Sequence, residues 1–339
     1  MEEKAVEETG SGSFQGGRGD MGNLVRFSQG ASLVGVAENL GERKTPQEAM
    51  ADYFGAKIAN ENTRDAYLRD AREFAAWCNS QGLMLTGIVT IDVARYRDYL
   101  RAGGNSPATI KRKLSALRKL FAYLVETGAL HSNPAREVAT ERISVKGGKT
   151  PALDAQQMRV LFESFDSEKL IDLRDRALIA VMSYALARVS AALTLRSQDL
   201  IDLGRTQILR LHEKGGVERD IPAHPKMVEY MDAWTAASGL KGSAFLFPAF
   251  ERRGTVASSH QMTRSDALRM VKRRLGRVGI PDVFSNHSFR ATGITEFLAN
   301  GGSLETAQQL ANHADSRTTK LYDRRASRLE LEEIVRIRY

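Results

Sequence analysis

Residues Asn286 to Tyr322 read NHSFRATGITEFLANGGSLETAQQLANHADSRTTKLY. His287 and Arg290 stand three apart, so on a helix they share a face. Gly301-Gly302 breaks the pattern and His313 follows. Tyr322 comes nine residues later, past a short polar turn and the pair Thr318-Thr319. Cations and hydrogen-bond donors of this kind hold a phosphate, and a phenol attacks one. The chemistry this stretch implies is phosphoryl transfer.

The chain around it has 339 residues, enough for two domains with cores of their own. A net charge of +8 implies a polyanionic partner, most often nucleic acid, although an ordinary basic surface gives the same total. Cys78 is the single cysteine, which excludes an internal disulfide and a cysteine-based zinc site. It falls on an apolar helical stripe and reads as a core residue. No signal peptide is visible. The most apolar run, Ala177 to Leu195, is interrupted by Ser183, Arg188, Ser190 and Thr194, so no membrane span is expected. The expected compartment is a reducing cytoplasm, in association with the nucleoid.

Nine of the 28 glycines lie in the first 41 residues, beside few large apolar side chains. Residues 1–44 are expected to be a disordered tail. Four helical patterns follow in residues 45–135. Thr45-Pro46 opens the first, which fades near Asn60. The second runs from Thr63 to Gln81 with Tyr67, Ala71, Phe74 and Cys78 on one stripe. Thr90 is expected to cap a third that buries Val93, Tyr96 and Leu100. Ser106 and Pro107 open a fourth, which runs to Thr127 with Ile110, Leu114, Leu117, Phe121 and Leu124 inward. Its other face is read as carrying Lys111, Arg112, Lys113, Arg118 and Lys119. No acid occurs between Ser106 and Val125. One sign of charge on one helix is what phosphate contact requires, so these five are candidate DNA ligands.

Residues 136–150 are expected to be a linker lying along or across DNA. A second domain, 151–325, starts with a helix led by Leu153-Asp154. A buried helix over Leu173–Tyr184 follows. Arg188 lies among Ala, Leu and Val, where a guanidinium is costly unless paired. A structural salt bridge and a phosphate fork fit it equally. Gln207–His212 and Val217–Ile221 read as a hairpin, with Glu213-Lys214-Gly215-Gly216 as its turn. Pro248–Ser259 reads as a loop. Ser265–Val278 reads as a second basic helix, with Arg269, Lys272 and Arg273 as further DNA candidates. The segment after Tyr322, with residues 326–339 as an amphipathic tail, is too short to bury its apolar positions and is expected to dock on its own domain or a neighbouring subunit.

Taken together, ARVS at Arg188, HEKGG at Lys214, HSFR at His287–Arg290 and NHADSRTTKLY ending at Tyr322 resemble the tyrosine recombinases, the phage integrase family. The resemblance covers residues 45–339 and implies a mainly α fold with a small β-hairpin, made of a helical core-binding domain and a catalytic domain. It implies that Arg188 and Arg290 grip the scissile phosphate and that Tyr322 is the nucleophile forming a 3′-phosphotyrosine. His287 would be the general base, Lys214 the general acid and His313 a phosphate ligand. Neither a cofactor nor a metal is implied. The implied partners are double-stranded DNA, three further copies of the chain in a synaptic tetramer formed from free monomers, and accessory DNA-bending proteins. Strand exchange would pass through a Holliday junction. The family commonly has an acid three residues after the first Arg, where this chain has Ala191. It usually has Gly before the second His, where this chain has Asn312. A type IB topoisomerase-like enzyme and a catalytically lapsed DNA-binding regulator are the alternatives, the latter supported only by Ala191.

Overall fold

A computed structural model describes residues 44–141, 150–204, 206–213, 216–251, 256–313 and 315–323. Residues 1–43, most of the expected linker, Lys214 and the C-terminal tail lie outside the described residues. The chain forms two compact units that divide at residue 144.

The described residues of the first unit hold four α-helices: α1 (Pro46–Asp52), α2 (Glu61–Ser80), α3 (Thr90–Ala102) and α4 (Pro107–Glu126). α1 continues into a π-helical turn, Tyr53–Lys57, that buries Tyr53 and Phe54. Ser106 Oγ accepts the Thr109 N–H at 3.2 Å and Pro107 occupies the first helical position, which together start α4. Thr90 does not cap α3. It is the helix's first residue, and Val89 precedes it, its N–H donating to the Asp92 carboxylate at 3.1 Å. A carboxylate one turn in has taken the place of a capping hydroxyl. The inward stripes of α2, α3 and α4 meet at Phe74, Tyr96 and Phe121, all at most 1% exposed. Phe74 packs edge-on against Tyr96 with ring centres 4.9 Å apart. Each of the two phenylalanines contributes about 1.5–3 kcal/mol by leaving water. Cys78 is fully buried in the same core, as its stripe predicts.

The second unit holds α5 (Ala155–Glu163), α6 (Leu170–Tyr184), α7 (Val189–Thr194), α8 (Pro225–Ser238), α9 (Arg264–Arg277), α10 (Asn286–Ala299), α11 (Leu304–Ala311) and α12 (Ser316–Lys320). Strands β1 (Leu200–Asp202), β2 (Gln207–Glu213) and β3 (Val217–Pro222) form an antiparallel sheet in that order. β4 (Pro248–Glu251) pairs antiparallel with β5 (Val256–Gln261). This second hairpin corrects the loop expected over Pro248–Ser259. Phe250 holds it in place, packing near Trp234 and beneath the Arg174 guanidinium, 4.5 Å from the ring centre.

α6 is buried on all sides from Ala177 to Ser183, and α10 lies against it. Gly293 permits that approach. A Cβ there would come within 2.0 Å of the Ser183 carbonyl oxygen and 2.4 Å of Leu186 Cδ2. The crossing brings the start of α10 beside the turn that joins α6 to α7. His287 and Arg290 are on the first, Arg188 on the second. Among the described residues, no helix is long and apolar enough to cross a membrane.

Candidate active site

Five of the six residues expected to carry chemistry converge in the second unit. Lys214, the sixth, lies outside the described residues. Arg290 is 1% exposed. Its Nη1 donates to the Leu186 carbonyl and its Nη2 to the Ala311 carbonyl, while Nε is buried without a partner. Both acceptors adjoin unusual backbone. Leu186 itself has φ +51°, and Asn312, which follows Ala311, has φ +45°. Asn tolerates the left-handed region, whereas for Leu it is uncommon. The turns that aim carbonyls at Arg290 are therefore built at some backbone cost.

Arg188 immediately precedes α7. It is ion-paired with Glu213 and donates through Nη2 to the Asn312 carbonyl at 3.0 Å. Its side chain remains 39% exposed, so the guanidinium is held on one edge and open on the other. Glu213 in turn accepts from Arg219 Nη2 at 2.8 Å and from Asn312 Nδ2 at 3.1 Å. Arg219 on β3 also donates to the Gln309 carbonyl at 3.0 Å. The described part of the site thus holds three guanidiniums, from Arg188, Arg219 and Arg290, against one carboxylate.

Tyr322 is 7% exposed, and its hydroxyl lies 3.0 Å from His287 Nε2. Its ring stacks on His313, with centres 5.9 Å apart and planes 16° apart. His313 Nδ1 pairs at 2.9 Å with the hydroxyl of Thr319, a fully buried residue of α12. Burial, then Arg290 and Arg188, hold the His287 imidazole below its ordinary pKa. The same causes, in the same order, push His313 down to about 4. Both rings are neutral at pH 7, and a neutral His287 with its proton on Nδ1 accepts from the phenol. Burial raises the Tyr322 pKa, while Arg290 and Arg188 pull it back. Burial and then Arg188 lower Arg290 to about 10, so it stays a cation at neutral pH.

The local fold explains this convergence. His287 and Arg290 are one turn apart on α10, as their spacing predicts. The α11 C-terminus turns at Asn312 to deliver His313. α12 then returns the chain so that Tyr322 meets both His287 and His313. The residues that sequence reasoning missed are Glu213, Arg219, Asn312 as a ligand, and Thr319. Glu213 was legible in principle. It follows Leu209 and Leu211 at a spacing of two, and all three are buried. It belongs to β2, opposite Val217, and not to the turn.

The expected DNA ligands are more dispersed. Lys113 is buried and pairs with Glu73 at 2.6 Å. Arg112 pairs with Asp70, and Arg118 donates to the Ala135 carbonyl at 3.0 Å. Lys119 lies over the Tyr67 ring. The five therefore do not form one outward basic face: Lys111, Arg112 and Lys119 are exposed, while Lys113 belongs to the helix–helix contact. On α9, Arg269 pairs with Asp266, Lys272 donates to the Asp282 carbonyl at 2.9 Å, and Arg273 lies 3.5 Å from Asp175.

Comparison with known proteins agrees with this arrangement. The phage integrase family matches residues 151–328, more than half of the chain, and the phage integrase N-terminal SAM-like domain matches residues 50–128. The chain belongs to the phage integrase family, the tyrosine recombinases. Tyrosine recombinase XerC of Xanthomonas campestris pv. campestris is 31% identical over 266 residues, covering 77% of this chain and 78% of the relative. Among solved structures, the XerH site-specific recombinase in its pre-cleavage complex with difH superposes with a TM-score of 0.65. It is 19% identical and covers 87% of this chain and 85% of that one. A lambda integrase tetramer bound to a Holliday junction gives 0.63 at 17% identity, covering 86% and 81%. The mainly α architecture with small antiparallel sheets is the integrase-family fold.

Proposed function

We propose that this integrase-family chain is a site-specific DNA recombinase that cuts and rejoins DNA through a covalent 3′-phosphotyrosine at Tyr322. The observation that carries this reading is the Tyr322 hydroxyl, 3.0 Å from a neutral imidazole and inside a cluster of guanidiniums that outnumber their carboxylate. A phosphodiester supplies the missing anion. Arg188 has donors to spare, since only two of its five N–H groups are engaged by the contacts above. Arg290 has a buried Nε with no partner. Both would hold the non-bridging oxygens and stabilise the added charge of the pentacoordinate transition state.

In the cleavage step the Tyr322 oxygen bonds to phosphorus, and the bond to the 5′-oxygen of the next nucleotide breaks. His287 Nε2 takes the phenol proton. Lys214 would protonate the departing 5′-oxygen, and His313 Nε2 would donate to a phosphate oxygen when its proton sits there. The phosphotyrosine keeps the bond energy, and attack by a 5′-hydroxyl of another strand reverses the step. For this chain we take the partners to be double-stranded DNA and three further copies in a synaptic tetramer that passes through a Holliday junction. Free monomers, accessory DNA-bending proteins and docking of residues 326–339 on a neighbouring subunit belong to the same proposal. So does the assignment of the first unit as a core-binding domain, with Lys111, Arg112 and Lys119 as its exposed candidate contacts.

The test uses nicked duplexes carrying fragments from the gene's own neighbourhood, resolved on a denaturing gel. Wild type gives a covalent adduct, and Tyr322→Phe gives none while still shifting the DNA. An adduct that survives Tyr322→Phe defeats the assignment. Relaxation of supercoils without any site preference would favour the topoisomerase reading.

A further inference from the structure

Glu213 has a place in this site that neither its strand nor the site's basic chemistry requires. Its side chain is 2% exposed. A carboxylate so buried is unfavourable unless its oxygens are matched, and here both are. One oxygen takes Arg188 and the Asn312 side-chain amide, and the other takes Arg219 at 2.8 Å. Those three partners come from three separate pieces of chain: the turn before α7, β3, and the turn after α11 that delivers His313. Glu213 is also the chain neighbour of Lys214. At Ala191, where an acid would sit one turn after Arg188, there is only a buried methyl group.

We propose that Glu213 is the positioning carboxylate of this active site, standing in for the acid that Ala191 lacks, and that Asn312 is its companion. This rests on the proposed strand cleavage. Glu213 touches no reacting atom. It fixes one edge of the Arg188 guanidinium so that the remaining donors face the phosphate. Through Asn312, it ties the same guanidinium to the segment carrying His313. The two departures from the family pattern, Ala191 and Asn312, thereby become one substitution of function. Losing the acid near Arg188 is compensated by a carboxylate arriving from the hairpin, and the residue before His313 carries an amide to meet it.

The experiment compares single-turnover cleavage of the nicked duplex at saturating protein with binding measured by gel shift. Glu213→Gln keeps the size and removes the charge. It is expected to slow cleavage about 10²-fold while leaving the dissociation constant within about threefold. Glu213→Asp retains part of the rate. Adding Ala191→Glu to Glu213→Gln returns a carboxylate to the same guanidinium from one helical turn away and restores cleavage at least about tenfold. Rescue from a different element would not follow from a role in folding alone. Wild-type cleavage by Glu213→Gln overturns the proposal. So does equal loss of binding and cleavage with no rescue by Ala191→Glu. If wild type itself forms no adduct, the recombinase reading falls and takes this proposal with it. If wild type cleaves and Glu213→Gln matches it, only this proposal falls.

Discussion

Two clusters of arginine lie in the same unit, and they are built on opposite principles. Between α6 and α9, Arg174 and Arg274 meet Asp172 and Asp175. Arg174 donates to Asp175 at 2.6 Å, and Arg274 donates to Asp172 at 2.6 Å and to Asp175 at 2.8 Å. All four side chains are at most 6% exposed. Two buried cations face two buried anions, with the exposed Arg273 3.5 Å from Asp175 at the rim, and the remaining Arg174 nitrogen meets the Pro248 carbonyl at 2.9 Å. The other cluster, at the turn between α6 and α7, sets three guanidiniums against Glu213. The first is finished as it stands. The second is short of two negative charges: a phosphodiester brings one, and its pentacoordinate transition state brings the second. Buried arginine alone therefore says little about function, and the balance of its counter-charges says a great deal.

The largest expected effect tests the unbalanced cluster. Arg290→Gln should lower the single-turnover cleavage rate by about 10³-fold and cost no more than about 1–2 kcal/mol of stability. The stability cost is small because the side chain lost is a buried cation with no carboxylate of its own. Single-turnover assays and denaturant midpoints on the same preparation give both numbers. If Arg290→Gln unfolds the protein, the two clusters do not differ in this way.

The balanced cluster should respond the other way round. Asp175→Asn leaves two buried guanidiniums with half their partners and should cost about 3–5 kcal/mol, read as a shift in the urea midpoint at constant slope. Its effect on cleavage at a temperature where it stays folded should be small. A strong loss of rate in a folded Asp175→Asn protein would mean that the α6–α9 cluster also tunes the site.

Protonation sharpens the contrast further. His313 lies beside the over-cationic cluster, which helps hold it near a pKa of about 4. Unfolded, its pKa returns to the ordinary histidine value, so the unfolded chain binds the extra proton first as pH falls. The stability tied to neutral His313 is complete above about pH 6.5 and drains away between there and pH 4. The total is on the order of 3 kcal/mol. His313→Gln should flatten that part of the stability profile. Inorganic phosphate bound in the cluster would raise the His313 pKa and flatten it in wild type too.

Much of this site could be read from the chain because its parts lie at fixed local spacings. His287 and Arg290 are one helical turn apart, and Tyr322 follows His313 across one short helix, so local geometry alone brings them close. The hairpin was legible for the same reason. Glu213 was passed over because a Glu-Lys-Gly-Gly run has turn composition, although the alternation of Leu209 and Leu211 continues through it. Arg219 and Asn312 depend on contacts between distant segments, which no local period encodes, whereas Thr319 meets His313 only six residues away. The β4–β5 hairpin held by Phe250 follows the same non-local logic, whereas the acid at Asp92 that opens α3 acts locally, on the Val89 N–H three residues back.

The smallest effect concerns α4 of the first unit, where composition misled most. Lys111 and Lys113 are two residues apart and identical in type, and a count of charges treats them alike. The structure separates them: Lys111 is exposed, whereas Lys113 is buried and held by Glu73. If α4 meets the DNA backbone, Lys111→Gln removes one phosphate contact. It should then reduce the slope of log affinity against log salt by about one, weakening all sequences alike. Lys113→Gln should leave that slope unchanged and instead strand Glu73, whose side chain is 44% exposed. Water can solvate the stranded carboxylate, so the stability loss stays near about 1 kcal/mol. Salt titrations of both variants on one duplex decide the matter. Equal slopes for Lys111→Gln and wild type would remove α4 from the DNA surface, leaving the net charge of the chain to act through other elements.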